Sequence, residues 1–503
     1  MNEIRLVSVQ NLFSAKDGAL VQELEIDILV KNLGYHKQVA VHWAGENNVW
    51  HVLAAHYQYP ADGGRERWIA KAIFRDHSPE GLPGNIRFAL QYLAEGREYC
   101  DNNNKLNFSI KAGAGILLGP DFRLSQIGFR PLLPQGETAH TVVVAVHRSV
   151  QAGQVFINWT IDGWRTVHRT PCFLQHDYWH QKGQGHADNL HEEDATVWTG
   201  KIKVRSSFRV EYAIGCETEQ EEIWDNNSGG NYVAGRAGLK ILTLNLHCYQ
   251  EADQDDKFNE IARAIHENDI DVVCLQEVGE EWNGGHGFWP SNAAGIILER
   301  LQGYGRTYDL HTDWSHIGFD HFREGIAILS KHRILKHDAG YVSDSHDIYD
   351  IHARKVVMAQ IHFPYIGLIN VFSVHLSWSS GGFKQQYERL QQWAKDIETD
   401  SVVATFLCGD FNNKAGSRGY MQIVGSGYED QFLRATSPSV FAKVFRKSRV
   451  GSKEDLASDG RIDFLFTKRG NKLRPTAARV LFSGQDYKMV SDHFGYLAEF
   501  EPE

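Results

Sequence analysis

After about residue 238 the chain alternates two periods, and that alternation leaves few folds open. ILTLNL reads as a strand, and Phe258, Ile261, Ala262 and Ile265 then recur at helical spacing. VVCLQEV is the next strand and AAGIILERLQ the next helix. Tyr387, Leu390, Ala394 and Ile397 mark another helical stripe, followed by the strand VVATFLCGD. Each strand pattern is short, β-branched and apolar, as in a sheet buried on both faces, and each helix has one apolar stripe to bury. Two packed sheets with helices outside them meet both demands, so residues 238–503 are predicted to form a layered α/β domain.

The same strands stop at polar residues. Asn245 closes LTLNLH, Glu277 follows VVCLQ, and His375 ends NVFSVHL. Asp410 and Asn412 lie in CGDFN, Asp463 in GRIDFLF, and Asp492 with His493 in SDHFG. A carboxylate directly after a buried strand projects from the sheet end into a cleft, and core packing gives no reason for so many to do so. Hydrolysis of a phosphate ester needs such a set: a cation against the phosphoryl oxygens, a base for water, donors for the equatorial oxygens and an acid or metal at the leaving oxygen. Glu277 suits a hard cation such as Mg²⁺, with Asn245 and Asp492 as its neighbours. Asp410 and Asn412 stand two apart, hence on one side of an extended segment, and could position water and hold a phosphate oxygen. Gly409 lets the backbone approach closely. His493 would face the phosphate, with Asp463 accepting from its other ring nitrogen; a structural ion pair between Arg461 and Asp463 is the rival reading.

The first half has another character. LVQELEIDILV and HTVVVAVH alternate with period two, and helical periodicity is almost absent. A diverged repeat runs through it. Phe88-Ala-Leu-Gln-Tyr92 followed by Asp101-Asn-Asn103 and Asn107 matches Phe208-Arg-Val-Glu-Tyr212 followed by Asp225-Asn-Asn227 and Asn231. Upstream, Trp43 with Trp50 matches Trp159 with Trp164, and Trp68 matches Trp198. Two tandem all-β sandwiches are expected, at residues 1–113 and 120–237, joined by the Gly-rich KAGAGILLGP. The second copy carries a polar insert near residues 174–194, read as a loop.

With 503 residues there is material for about three domains. The formal charge of −11 disfavours a nucleic-acid partner, which usually meets a basic face. MNEIRLVSVQNLF has no basic segment before an apolar region, and no stretch approaches a membrane span, so a soluble cytoplasmic protein is expected. Six cysteines without a C-x-x-C pair suggest reduced core thiols, as at Cys274 and Cys408.

LQE, GDFN, RID and SDH in this order resemble the endonuclease/exonuclease/phosphatase superfamily, with its DNase I-like fold. The resemblance spans residues 238–501. It implies a four-layer α/β sandwich and Mg²⁺-dependent phosphoester cleavage by in-line water attack, with Mn²⁺ as a substitute. It assigns Glu277 to the metal, Asp410 to the base, Asn412 to phosphate holding and the Asp463–His493 pair to catalysis. Abasic-site endonucleases of the superfamily carry Asp where this chain has His247, which weakens a DNA-repair reading. HTDWSHIGFDHFREGIAILS, HARKVV and HLSWSSGGFKQQ resemble its maltose 6′-phosphate phosphatase branch. Trp314 and Trp378 could then stack on sugar faces, and Arg354 or Lys384 could steer phosphate. The front half resembles family 21 starch-binding modules, more closely in the first copy. That resemblance implies carbohydrate contacts at Trp50, Asn103 and Asn107, and at Trp164, Asn227 and Asn231.

The function expected is a Mg²⁺-dependent phosphomonoesterase for maltose 6′-phosphate or a phosphorylated α-glucan, anchored to starch or glycogen. A nuclease or sphingomyelinase-type phosphodiesterase of the same fold is the first rival, and a non-catalytic glucan-binding scaffold the second.

Overall fold

The protein is represented by a computed structural model that describes residues 3–16, 18–76, 81–175, 195–205, 207–249, 252–283, 285–318, 321–435, 437–438 and 460–503. Most of the insert near 174–194 lies outside the described residues. The chain divides into two compact units, Met1–Ala237 and Gly238–Glu503.

The first unit is built from strands. Its first nine form one hydrogen-bonded network, in which the long strand Trp50–Ala61 changes partners. Its first half pairs with Lys37–Ala44 and its second half with Arg65–Arg75. The two sets of strands so created face each other across Ile26, Ile28, Val41, Phe88 and Leu90. Later strands form a four-stranded and a five-stranded sheet around Val142, Val144, Ile157, Tyr212 and Ile214. The Gly-rich KAGAGILLGP is no plain linker. Within it Gly115–Leu118 is a strand that pairs with Ile4–Lys16.

Strand pairing corrects the alignment of the repeat. Leu90 pairs with Asp101 and Ile214 with Asp225, a constant offset of 124 residues. Phe88, stacked on Phe108, is therefore the counterpart of Tyr212, stacked on Tyr232. The F-x-x-x-Y match is four residues out of register. Likewise Trp43 stacks on His51 and Trp159 on His168. The residue before His51 is Trp50, and the residue before His168 is Val167, so Trp164 is not the equivalent of Trp50.

The second unit has four layers. One sheet contains Leu239–Asn245, Val272–Asn283, Asp309–Gly318 and Phe322–Ser330; the other contains Lys355–Phe363, Gly367–His375, Val402–Asp410 and Asp463–Lys468. Ile241, Cys274 and Ile328 of the first sheet pack on Val371, Phe406 and Leu465 of the second. The intervening residues Leu242, Val273 and Leu329 point the other way, onto Phe258, Ile261 and Ile265 of helix Gln254–Glu267 and Ile297 of helix Ala293–Gly303. On the far side Phe372, Leu407 and Phe464 meet Tyr387 and Leu390 of helix Phe383–Asp396. Period two in each strand thus feeds two cores at once, and the arrangement is DNase I-like. Among the described residues no helix is long and apolar enough to cross a membrane.

Candidate active site

The inner faces of the two sheets change character toward one end. Past the apolar core comes a polar layer, where Gln276 donates to Ser373 Oγ at 3.0 Å and Thr243 donates to Gln276 Oε1 at 3.3 Å. One step further stand Asn245, His375, Asp410 and Asp463. Gly367–His375 runs parallel to Val402–Asp410, which is antiparallel to Asp463–Lys468, and His375, Asp410 and Asp463 fall side by side. Continued alternation accounts for Asn245 after Leu239 and Ile241, and for Asp410 after Phe406 and Cys408.

Glu277 reaches the same spot by another route. Gln276 faces the inner layer, so alternation would turn Glu277 outward with Leu275. A register shift between Gln276 and Val278 makes Glu277 an extra residue with φ 49°, turned into the cleft. Bulges re-aim side chains in this way. The neighbouring strand Asp309–Gly318 has its own shift between Trp314 and His316, across the same Gly325. A Cβ at Gly325 would stand 2.6 Å from Asp313 O.

Asn245 Nδ2 donates to Glu277 Oε1 at 2.8 Å and to Asp410 Oδ2 at 3.1 Å, while its Oδ1 accepts from the His247 amide. It crosslinks the two carboxylates. Asp410 Oδ1 accepts the Asn412 amide at 2.7 Å. Asn412 has φ 49°, so a tight turn rather than an extended segment brings the two together. One Asn412 Nδ2 hydrogen goes to Leu376 O, and the other has no partner among the described residues. His493 Nδ1 lies 2.8 Å from Asp463 Oδ2, and its Nε2 is 3.9 Å from Asp410 and from Asp492. Asp492 is more than half exposed at the rim, 3.4 Å from His247 Nδ1. Arg461 does not pair with Asp463. It forms a buried two-bond pair with Asp430, 2.6 and 3.2 Å.

Glu277, His375, Asp410, Asn412, Asp492 and His493 line a cavity of about 630 Å³ together with Glu324, Arg354 and Trp378. Glu324 escaped the sequence reading because it lies inside a strand rather than at its end. Its two oxygens stand 3.7 Å from His375 Nδ1 and 3.7 Å from His316 Nε2. Arg354 lines the cavity while donating to Ile351 O, and Trp378 is exposed at the mouth. Lys384 is not part of the site: it extends into solvent beside Glu388. Trp314 is not part of it either, because the bulge places it on the opposite sheet face from His316.

Burial governs the charges. It raises the carboxyls of Glu277, with Glu324 adding to the effect, and of Asp410, with Asp463 adding. Burial alone raises Glu324. Burial also holds His375 well below the usual imidazole range, helped by Arg354. His493 goes the other way. Burial opposes its charge, but the hydrogen bond and charge of Asp463, with Asp410 and Asp492, push it up to about 9. The acids around it thus favour its positive form. Oxygen donors from Glu277, Asp410 and Glu324 converge on this cavity, with Arg354, His247 and His493 as the basic groups that face them. That hard donor set fits a divalent ion, and Glu277, His375 and Asp410 offer ligand atoms within 4.8 Å of one another.

In the first unit the repeated motif builds matched turns. Asn103 Nδ2 donates to Asn107 O, and Asn227 Nδ2 donates to Asn231 O. Asn227 is buried and also bonds Pro60 O, while Asn231 donates to Glu211. These amides hold the loop, so the contacts expected of Asn103, Asn227 and Asn231 with sugar are not free to form through the bonded groups. Asn107 lies in the same turn at φ 58°. Trp50 is exposed, whereas Trp164 is half buried with its indole nitrogen enclosed.

The sequence model of the Endonuclease/Exonuclease/phosphatase family matches residues 242–493, and the chain belongs to that family. The model of the carbohydrate/starch-binding module of family 21 matches residues 136–234, the copy that reads as the more distant of the two. The chain is similar to Glucoamylase 1 of Rhizopus oryzae, 32% identical over 88 residues, which is 16% of this chain and 13% of that protein. Among solved structures it is similar to an endonuclease/exonuclease/phosphatase family protein from Leptotrichia buccalis, 29% identical, TM-score 0.45, covering 52% of this chain and 99% of that one. It is also similar to a mannosyl-6-phosphatase from Bacteroides thetaiotaomicron, 16% identical, TM-score 0.38, covering 52% and 99%.

Proposed function

We propose that the protein is a Mg²⁺-dependent phosphomonoesterase acting on a phosphorylated α-glucoside, maltose 6′-phosphate or a phosphorylated malto-oligosaccharide or glucan, with the first unit holding the polymer. The observation that carries the chemistry is the single row of Glu277, Asn245, His375, Asp410, Asp463 and His493 at one end of the sandwich. Glu277 would hold the ion, with Asp492 and Asn245 beside it; when bound, the ion offsets charge on the phosphoryl oxygens. Asp410, pinned by Asn245 and Asn412, is placed to orient the attacking water and take its proton. His493, kept cationic by Asp463, donates to the phosphate. The free Asn412 hydrogen holds an equatorial oxygen.

The substrate reading is supported by the family 21 match and by exposed Trp378 and Ile351 at the cavity mouth, an apolar rim suited to a sugar face. The first unit is read as two β-sandwich modules, residues 1–113 and 120–237, that raise the local concentration of polymer-borne phosphate. The test is phosphate release from a panel of sugar phosphates, phosphoglucan, plasmid DNA and sphingomyelin, with and without Mg²⁺. Release from maltose 6′-phosphate or phosphoglucan is expected; turnover confined to a phosphodiester would overturn the reading, and none at all would favour a scaffold. Trp50→Ala should weaken pull-down on insoluble starch and leave p-nitrophenyl phosphate hydrolysis unchanged.

A further inference from the structure

Behind the catalytic cleft lies a second cavity, of about 180 Å³, on the opposite face of the same sheet. Arg323 and Glu324 are chain neighbours in a strand, so they point to opposite faces. Glu324 faces His375 in the cleft, and Arg323 lies over the Trp314 ring with its carbon 5.4 Å from the centroid. Trp314, Trp289, Asp313 and Thr312 line this cavity with Arg323, and Trp282 packs on Trp314 at 5.5 Å. Trp289 and its neighbour Phe288 are about half exposed.

The polar groups are already matched in charge. Arg323 pairs with Glu280 at 2.7 Å, and Asn292 holds the other Glu280 oxygen at 2.8 Å. Lys355 pairs with Asp313 at 2.9 Å. The cavity is therefore electrically balanced, which gives no advantage to a phosphate or a nucleic acid. It offers indole faces beside carboxylate oxygens that can still accept from hydroxyls. Flat apolar walls and hydroxyl acceptors together are the chemistry that recognises a sugar ring. The volume is space for roughly six waters, which suits one pyranose rather than a larger ligand.

We infer that this cavity is a glucosyl-binding subsite of the hydrolase unit, taking an unphosphorylated residue of an α-glucan. The identity of its ligand rests on the glucan reading above. The test is hydrogen exchange on the full chain with unphosphorylated maltoheptaose. Protection is expected in peptides around Trp289, which does not line the catalytic cleft. Trp289→Ala should abolish that protection, keep any in the first unit, and leave p-nitrophenyl phosphate turnover unchanged. Trp289→Tyr, which retains a flat ring, should preserve it. No protection at Trp289 in the unaltered protein, or protection that survives Trp289→Ala, overturns the inference. Protection without hydrolysis of any glucan phosphate would sustain this subsite and remove the substrate reading; hydrolysis without protection would do the reverse.

Discussion

Asp410 is the buried side chain on which the proposed mechanism makes its heaviest demand. Asn245 and Asn412 fix its two oxygens, so Asp410→Asn keeps the volume and removes the carboxylate to which the proposal assigns the water's proton. Turnover should fall by about 10²–10⁴-fold, with the melting temperature unchanged or higher, in assays beside a thermal melt. Burial makes charge hard to carry on Glu277 and on Glu324, and Glu324 adds to the effect at Glu277. A ligand that binds only the folded state stabilises it by mass action. Mg²⁺ should therefore raise the melting temperature of the parent protein, and Glu277→Gln should lose that rise together with activity. A rise that persists in the variant would place the ion elsewhere. The residues at strand ends were legible because their own strands run apolar up to them. Glu324 was not, since nothing in GIAILS marks the residue before it, and Trp314 was misplaced because a one-residue bulge inverts every face beyond it.

At the level of strands, Gly409 explains the close approach that its sequence position suggests. Its φ is 150°, and a Cβ there would stand 1.9 Å from Val374 O, the residue before His375. The approach serves the neighbouring strand rather than a ligand. Gly409→Ala should cost more than about 4 kcal/mol or prevent folding, read from denaturant melts. The helices and core strands of the second unit were readable from period alone, because packing there follows the pattern that defines it. The repeat of the first unit was readable only roughly. Aromatic look-alikes in period-two strands can be slid along each other, and ladder pairing, not residue type, decides which of them correspond.

Across the whole chain, a further group limits stability in acid. His140 is buried in the first unit, 3.2 Å from Tyr212 Oη, and burial, with Arg130 assisting, lowers it to about 4. An unfolded histidine binds its proton near 6.5, so the unfolded state takes up the proton first as pH falls. Stability should be intact above about 6.5 and decline toward 4, by roughly 3 kcal/mol for this group. His140→Gln should flatten that part of a pH series of melts. Charge and composition could not point to the partner, since a glucan leaves no electrostatic signature. The parallel pairing of Gly367–His375 with Val402–Asp410 has one more effect. Parallel neighbours require the chain to cross over, and helix Phe383–Asp396 makes that crossing. The link into it, residues 377–382, carries Trp378 along the lip of the cavity. If the proposed hydrolysis holds, exchanging that short link between relatives would redirect which alcohol is released while every hydrogen bond of the polar row stays in place.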